Sequence, residues 1–526
     1  MRAYGFFYII KGSHWWQQGY RLWDMAAGTG NLEYHLPTAA YPHCFLSSLY
    51  KEDVEHLQKL FPAAHTFQYD YLNDDIANVF AENTLPFDLT WKLPTPLRKE
   101  LQNPDNKWII LINPPFATAQ TAGTSNGDSK KDVSDTALRK IMHSQNLGET
   151  SRELFSQFLF RIRQEFSGKI AHFGLFSTLK YLNSNNDQHL RDRIFQFTYE
   201  TGFIFSIKNF IGTTGSFPVG FLIWNLNKAQ AIENQRIELD VFNEQVEKIA
   251  TKIVQTSHRD NFLNKWIVRP NADIKFPPFS GGITVKTANK DARDRIAKGF
   301  LASFMSKGND FQNQNFTCFL SGPYVSAGAL SVTAANFEQA QVIHAVRLIP
   351  KKEWTNNRDQ FMQPNCTLPQ VFIDDCTIWN LLSNSNQTVA MRSVSYEGQI
   401  YQIDNHFFPF LKSELKTWIV GDVDIRNTLT VGEDRFVALW LQNRVLSAEA
   451  QAVWEAGALM YKFYFENSQK LRLNKFKIET WDAGWWQIRN VLEEQNLAEE
   501  LFKTLKLAHS VLKEKLLAQI FEYGFL

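Results

Sequence analysis

The chain has few cysteines and no long hydrophobic run, and each shortage excludes a class of protein. Its four cysteines lack the CxxC spacing of a zinc site, which favours reduced thiols in a cytosolic protein; they are Cys44, Cys318, Cys366 and Cys376. No apolar run reaches the ~18 residues of a membrane-spanning helix. The aromatic start, "MRAYGFFYIIKGSHWWQQGY", lacks the regions of a signal peptide. We therefore expect a cytoplasmic protein with no membrane partner.

The chain also lacks an excess of charge of either sign. Its 55 Lys and Arg nearly balance its 54 Asp and Glu, for a formal net charge of +1. This balance neither requires nor excludes a polyanionic partner, because local patches and not the total attract phosphate. The 526 residues exceed the size of a single compact core, which predicts two or three domains.

Short apolar runs alternate with amphipathic stretches in the first 228 residues, which predicts a mostly parallel sheet with helices on both faces. The expected strands are 21–26, 43–49, 65–70, 108–113, 169–177, 203–210 and 219–226. The last two are separated by only "IGTTGSFP", which is too short for a crossover helix and predicts a hairpin. We expect an α/β, Rossmann-like, seven-stranded sheet with an antiparallel edge hairpin.

The composition changes beyond residue 228. Residues 229–445 are rich in Asn, Gln and Thr with short strand-like runs, and residues 446–526 have helical periodicity. We expect a catalytic domain over 1–228, a mixed α+β recognition domain over 229–445, and a helical part of that region over 446–526. The long polar stretch 114–150 follows a strand and is expected to be a functional lid.

One candidate motif is "LWDMAAGTGNL" at 22–32, where an apolar strand ends in an acid and a Gly-x-Gly. A plain strand-to-helix turn would also use glycine for positive φ, and that alternative stays open. In a Rossmann-like sheet, however, ligands bind outside the carboxyl ends of strands. A dinucleotide site is disfavoured because Glu33 replaces the third glycine of G-x-G-x-x-G.

The second motif is "LINPPF", which ends a hydrophobic strand with Asn113, Pro114, Pro115 and Phe116. An exocyclic amine of a nucleobase is a poor nucleophile because its lone pair is delocalised into the ring. The Asn113 side-chain oxygen and the Pro114 carbonyl can accept its two N–H bonds, and both bonds strengthen as positive charge develops on the nitrogen. Phe116 offers a face on which the base can stack. This order of residues predicts methylation of an amino group.

The order of "DMAAGTG", a strand-end Asp70 and "NPPF", with a long second half, resembles the γ-group of DNA amino-methyltransferases of restriction–modification systems. The resemblance implies S-adenosylmethionine as cofactor, no metal, and a bacterial cytosol or nucleoid. It implies a cofactor site that includes Asp24, Ala26, Gly28, Gly30, Asp70 and Asn113. It also implies that Phe217 in "GTTGSFPVGF" stacks on the target base opposite Phe116, although a core phenylalanine is the alternative.

Two features depart from that family. The acid expected to bind the ribose falls near Tyr50, so we expect Glu52 or Asp53 to serve, although both also suit the first turn of a helix. Only about 20 residues precede the first strand, and none matches the family's segment over the cofactor. We therefore expect weak binding of S-adenosylmethionine or an absence of activity. No metal-dependent nuclease motif is found, since "PDNK" at 104–107 lacks a second acid.

The second half offers groups that read DNA, since Asn and Gln pair with adenine, and Arg with guanine, in the major groove. The stretches that carry such groups are 286–298, 351–361, 383–398 and 470–481. Each is also compatible with a solvated surface. "WDAGWWQIR" at 481–489 indicates a buried aromatic anchor more than a stacking site.

We thus expect a site-specific DNA methyltransferase that methylates the N6 amine of a flipped-out adenine in double-stranded DNA, with a cognate restriction endonuclease as a further partner. Methylation of cytosine N4 uses the same acceptors and stays open. Methylation of a protein glutamine is disfavoured by the long second half. The alternative of another class is a non-catalytic DNA-binding subunit of a defence system.

Overall fold

A computed structural model describes most of the chain, and every structural statement below refers to these residues. They are 14–80, 91–114, 136–209, 215–275, 295–324, 328–396, 398–418, 432–467, 471, 478 and 480–526. The chain divides into two compact units. The first unit comprises residues 1–259 and 353–359, and the second comprises 260–352 and 360–526.

The first unit is built on one large, mostly parallel sheet of nine strands. The strands are β1 (Tyr20–Asp24), β2 (Cys44–Ser48), β3 (His65–Gln68), β4 (Lys107–Ile112), β5 (Ile170–Thr178), β6 (Phe197–Ser206), β7 (Pro218–Ala229), β8 (Ile237–Phe242) and β9 (Lys248–Val254). Their order across the sheet is β3-β2-β1-β4-β5-β7-β6-β8-β9. Strands β3, β2, β1, β4 and β5 pair in parallel, whereas β7 is antiparallel to both of its neighbours.

The sheet differs from the expected one in two respects. It has nine strands, not seven, because β8 pairs in parallel with β6 and β9 pairs antiparallel with β8. The β6–β7 hairpin is therefore not at the edge as expected; β7 lies between β5 and β6, and the β8–β9 hairpin forms the edge. The boundary expected at residue 228 falls at the end of β7, within this sheet.

Helices of the first unit pack on the two faces of the sheet. They are α1 (Lys51–Leu60), α2 (Ile76–Val79), α3 (Thr95–Gln102), α4 (Ala137–Ser144), α5 (Leu154–Glu165), α6 (Lys180–Asn183) and α7 (Gln188–Arg193). Successive strand residues alternate between two buried cores, as a pleated strand requires. In β4, Ile110 lies in the core that includes α5, and its neighbour Leu111 lies in the core that includes Leu57 of α1.

The second unit combines small sheets with long helices. Its strands are β10 (Ile274–Lys275), β11 (Arg295–Ile296), β12 (Ala302–Ser306), β13 (Thr317–Leu320), β14 (Ala329–Val332), β15 (Asn386–Gln387), β16 (Met391–Tyr396) and β17 (Gln399–Ile403). Its helices are α8 (Phe337–Leu348), α9 (Gln370–Leu381), α10 (Lys412–Trp418), α11 (Phe436–Leu441), α12 (Ala448–Asn467), α13 (Trp485–Glu494) and α14 (Glu499–Glu522). Four strands form a sheet in the order β14-β12-β13-β15, and β16 pairs with β17 alone.

The tryptophan-rich stretch 481–489 contributes to the core of the second unit. Trp481 and Trp485 are buried, and Asp482 between them accepts a hydrogen bond from Nε of Arg435 at 2.8 Å. Gly484 is required here because a Cβ would lie 2.0 Å from the carbonyl oxygen of Thr388. Among the helices that the structure describes, none is both long and apolar enough to cross a membrane.

Candidate active site

The candidate site lies where the order of the sheet reverses, between β1 and β4. The chain adds strands from β1 outward to β3 and then returns to place β4 on the other side of β1. In open α/β sheets, ligands bind outside the carboxyl ends of strands at such a switch point. Asp24, the last residue of β1, is opposite Leu111 of β4. The glycine turn after β1 and Asn113 after β4 are therefore neighbours at the carboxyl ends of the parallel strands.

Local hydrogen bonds shape the turn after β1. One oxygen of Asp24, Oδ1, accepts the N–H of Ala26 at 2.8 Å, and the N–H of Ala27 donates to the carbonyl of Ser47 in β2 at 2.9 Å. Residues 28–35 then form consecutive turns and not the α-helix that a plain strand-to-helix connection would give. This segment is held against the neighbouring strand with its backbone close to the switch point.

The two glycines of the turn have different reasons to be glycine. Both have positive φ, +53° at Gly28 and +76° at Gly30, which favours a residue without a side chain. A Cβ on Gly30 would lie 2.5 Å from Cε2 of Phe61 and 2.9 Å from Cδ2 of Leu57, so this glycine allows α1 to pack closely. A Cβ on Gly28 would meet nothing within 4 Å, so Gly28 borders open space.

Two acids are buried together beside this turn. Asp24 and Glu33 both have no exposed surface. Asp24 Oδ2 and both Glu33 oxygens lack a hydrogen-bond donor among the described residues. Burial raises the pKa of Asp24 to about 7, even though hydrogen bonds with Glu33 and the Ala26 N–H lower it. Burial and the Asp24 carboxylate raise the pKa of Glu33 well above its usual range.

The residues of this turn fit S-adenosylmethionine on two observations. Gly28 leaves room for a ligand against the backbone, and the buried Oδ2 of Asp24 is an acceptor without a donor among the described residues. The methionine end of the cofactor carries an ammonium group that could donate to such an acceptor. Glu33 is the second acid of the buried pair, and the sequence drew attention to it only as a missing glycine.

Two acids, Glu52 and Asp53, follow β2 in the first turn of α1, and one of them is hydrogen-bonded to the strand. Asp53, in the first turn of α1, accepts a hydrogen bond from Oγ of Ser48 at 2.8 Å, and Ser48 is the last residue of β2. Glu52 is exposed in the same turn, and the side chain of Tyr50 is also exposed. The assignment of a ribose-binding acid to Glu52 or Asp53 stays a prediction, and the Ser48 contact fixes only Asp53.

Asp70 follows β3, and its side chain accepts hydrogen bonds within the turn that it begins. Its Oδ1 accepts the N–H of Leu72 at 3.0 Å, and its Oδ2 accepts Nδ2 of Asn73 at 2.8 Å. These bonds fix the carboxylate, and each oxygen keeps a second lone pair. The prediction that Asp70 accepts a hydrogen bond from the adenine of the cofactor is compatible with this geometry and stays a prediction.

A buried arginine braces the loop that carries Asp70. Arg161 of α5 donates to the carbonyl oxygens of Tyr71 at 2.5 Å and Asp74 at 2.8 Å, and to the hydroxyl of Tyr69 at 2.5 Å. Its Nε binds Glu165 at 2.9 Å. The sequence could have indicated this residue, because a charged side chain within an apolar helical run, "FLFRIRQEF", needs buried partners.

Asn113 and Pro114 directly follow β4. Asn113 is exposed and Pro114 is buried, so the amide side chain is at the surface of the crevice and not in the interior. Pro115 and Phe116, the other predicted catalytic residues, are outside the described residues, as is most of the expected lid, over 115–135. Their roles stay predictions.

Phe217 is at the same edge of the sheet, immediately before β7. Strand β7 runs antiparallel to β5, and Val219 is opposite Thr178 at the carboxyl end of β5. Strands β4 and β7 are separated by β5, so at ~4.8 Å per step Asn113 and Phe217 are on strands about 10 Å apart. Phe217 is half-buried and packs against the core that includes α1, so the core alternative is partly correct.

Within the described ranges, no group of three or more His, Cys, Asp or Glu side chains is arranged to bind a metal ion. The four cysteines are free, with Cys366 exposed and the other three buried. Burial raises the pKa of the Cys44 thiol, which lies near Glu33, well above its usual value.

No protein-family model matches the chain, and no curated protein matches its sequence. Among solved structures, it is similar to DrdV in a DNA complex, with a TM-score of 0.32 and 14% identity over 57% of this chain and 32% of that one. The type IIL restriction-modification enzyme MmeI in complex with DNA gives a TM-score of 0.32 and 10% identity over 99% and 76%. The M protein of the type I restriction enzyme EcoKI gives 0.25 and 12% over 42% and 44%. The chain thus spans about a third of DrdV and under half of the EcoKI protein.

Proposed function

We propose that this chain is an S-adenosylmethionine-dependent DNA methyltransferase that modifies the N6 amine of an extruded adenine. The observation that carries the proposal is the parallel pairing of β1 with β4. It brings the exposed Asn113 beside the open glycine turn at the switch point of the sheet. An acceptor for an amino group and a cradle for a methyl donor are thus neighbours.

The chain's own residues would bind and orient the amine. The Asn113 side-chain oxygen accepts one N–H of the base and the Pro114 carbonyl accepts the other, which keeps the nitrogen lone pair directed at the donor. When bound, S-adenosylmethionine supplies an electrophilic methyl group. As the N–C bond forms, the nitrogen becomes positive and both hydrogen bonds strengthen, so the transition state is bound more tightly than the substrate. The product ammonium then loses its proton to water.

Extrusion of the base costs a few kcal/mol of stacking, which the protein has to offset. Phe217 lies at the end of the sheet where β4 and β5 have their carboxyl ends, about two strand spacings from Asn113. From this position it can stack on the base from the side of β7. Phe116 on the other side would complete the aromatic pair.

The second unit carries an element suited to a DNA groove. Within the described residues, strands β16 and β17 pair only with each other and form an antiparallel ribbon, and its side chains include the exposed Arg392, Gln399 and Ile400. The major groove of B-DNA admits such a two-stranded ribbon. This ribbon contains the second half of the stretch 383–398 that the sequence offered as a DNA contact, and we propose that it reads bases of the DNA site.

The test is to identify the product. The full chain is incubated with S-adenosylmethionine labelled in the methyl group and with unmodified DNA of mixed sequence, amplified in vitro. The DNA is then digested and the labelled nucleoside is identified by chromatography, with the Asn113→Ala variant as the inactive control.

We expect labelled N6-methyladenine with the wild-type chain and none with the variant. Labelled N4-methylcytosine would show that the target base is cytosine and not adenine, and the proposed mechanism of transfer to an exocyclic amine would stand. An absence of label despite retained DNA binding in a gel-shift assay would overturn the proposal in favour of a non-catalytic DNA-binding protein.

A further inference from the structure

A short segment, 353–359, belongs to the first unit although the chain on both sides of it belongs to the second. The segment is a compact turn. The N–H of Glu353 donates to Oδ1 of Asn356 at 2.8 Å, and the N–H of Asp359 donates to the carbonyl of Asn356 at 2.9 Å. Such a turn presents its side chains in fixed directions, so its contacts with the first unit are specific.

Two contacts attach this segment to the rest of the first unit. Trp354 packs against the core that includes α5. Asp359 forms an ion pair with Lys252 of β9, whose side chain is only 15% exposed. A segment attached through an aromatic ring and an ion pair is a fixed part of this unit.

The third contact is with the candidate active site. The guanidinium carbon of Arg358 lies 4.9 Å from the centroid of the Phe217 ring, which is within the distance of a cation–π interaction. The ring is also confined by the backbone, since a Cβ on Gly215 would lie 2.4 Å from its Cε1. Arg358 and the Gly215 backbone together therefore restrict the orientation of the ring.

We infer that Arg358 is a positioning residue for methyl transfer, which holds the Phe217 ring in the orientation that receives the extruded base. This inference rests on the proposed function and goes beyond it, because Arg358 lies 245 positions after Asn113 and in a stretch that the sequence assigned to contacts with DNA. A ring already oriented loses less conformational freedom when the base stacks on it. The segment 353–359 thus contributes to catalysis through Phe217.

The inference predicts a specific kinetic pattern. The Arg358→Met variant keeps most of the aliphatic stem but loses the cation. We expect kcat to fall about tenfold, the equivalent of ~1.4 kcal/mol of ring positioning. KM for DNA and Kd for the cofactor should stay within about twofold, because most DNA affinity comes from phosphate contacts elsewhere. Arg358→Lys keeps a cation and should recover most of the rate.

A double-mutant cycle separates positioning from a general loss of structure. If Arg358 acts through the ring, then Arg358→Met should cause no further loss of kcat in a Phe217→Ala background. The matched control is Arg98→Met, because Arg98 also lies over an aromatic ring of the first unit, 5.9 Å from Trp91, but on α3. This control should keep the wild-type rate, and thermal unfolding of each variant checks that it is folded.

The outcomes are distinguishable. Suppose that the wild-type chain methylates unmodified DNA of mixed sequence. An unchanged rate in Arg358→Met would then overturn the inference and leave the proposed function intact. So would a loss of kcat in the double variant equal to the product of the two single losses. If Arg358→Met does not fold, failure of the folded Arg358→Lys to exceed the rate of Phe217→Ala would also overturn it. A wild-type chain that transfers no methyl group would overturn the proposed function, and the inference with it.

Discussion

Two buried charged groups at the same edge of the sheet are arranged in opposite ways. Arg161, beneath the loop after β3, donates to two carbonyls, a tyrosine hydroxyl and a carboxylate. Asp24 and Glu33, beside the turn after β1, have three oxygens without a donor among the described residues. Both sites exclude water, but only the first satisfies its hydrogen-bonding capacity.

The difference separates a structural role from a functional one. A buried ion with all its partners fixes the backbone around it, and removing it leaves those partners unpaired. A buried acid with an unused acceptor costs stability, and such groups occur where a ligand or a proton transfer makes use of them. Arg161 thus shapes the site, whereas we propose that Asp24 contacts what the site binds.

The largest effect expected from this contrast is that of Arg161→Met. The variant would leave the Tyr71 carbonyl without its donor and remove the bonds of Arg161 to Glu165 and the Asp74 carbonyl, which would keep only tyrosine hydroxyls as donors. We therefore expect the free energy of unfolding to fall by about 3–5 kcal/mol. Urea denaturation measures it. The control is Arg163→Met on the same helix, where a single bond to the carbonyl of Ile194 at 2.9 Å is lost and about 1 kcal/mol is expected. Equal losses for the two variants would refute the structural role of Arg161.

The packed and open sides of the glycine turn offer a second contrast. Gly30→Ala brings a Cβ to 2.5 Å from the Phe61 ring in addition to the strain of its positive φ, and we expect a loss of about 3 kcal/mol. Gly28→Ala has only the backbone strain, about 1 kcal/mol, but fills the space beside the turn. Calorimetric titration with S-adenosylmethionine should therefore show weaker binding for a folded Gly28→Ala variant. Unchanged binding would contradict the assignment of the cofactor site to this turn.

The third contrast concerns pH. The folded-state pKa of Asp24, about 7, is above the ordinary value of 3.8, so the native state holds more protons between these values. Stability should therefore fall as pH rises from about 4 to about 7, by at most ~1.4 kcal/mol per pH unit for one proton. In Glu33→Gln the amide donates to the Asp24 carboxylate, so this slope should flatten.

Thermal unfolding between pH 5 and 8 measures the slope. Glu55→Gln is the control, since Glu55 is exposed on α1 and pairs only with Lys51, at 3.8 Å, in the contacts described. The same pH slope in Glu33→Gln and the wild type would show that Glu33 does not influence the pKa of Asp24.

Much of the sheet could be predicted from the sequence, because its strands are apolar runs with glycine or polar breaks between them. All seven expected strands overlap observed ones. The β8–β9 hairpin was missed because β9 is an edge strand with mostly exposed residues, so its sequence lacks the alternation of a half-buried strand. Its position also made the β6–β7 hairpin internal.

The site residues next to strand ends could be predicted because topology alone brings those ends together. Asn113 and the glycine turn are examples. Glu33 and Arg358 could not, because their importance arises from contacts with residues distant in space or sequence. Glu33 is significant only because Asp24 is buried against it, and Arg358 only because the chain returns to the first unit over seven residues.

The most direct test of the account is the single-turnover rate of methyl transfer by Asn113→Ala against Asn103→Ala, measured with labelled S-adenosylmethionine and unmodified DNA. Both asparagines are exposed, and they lie on opposite sides of β4 along the chain, Asn113 directly after the strand and Asn103 at the end of α3 before it. We predict a rate lower on the order of 100-fold for Asn113→Ala and a near wild-type rate for Asn103→Ala. Equal rates for the two variants would contradict the assignment of Asn113 as the acceptor of the amine.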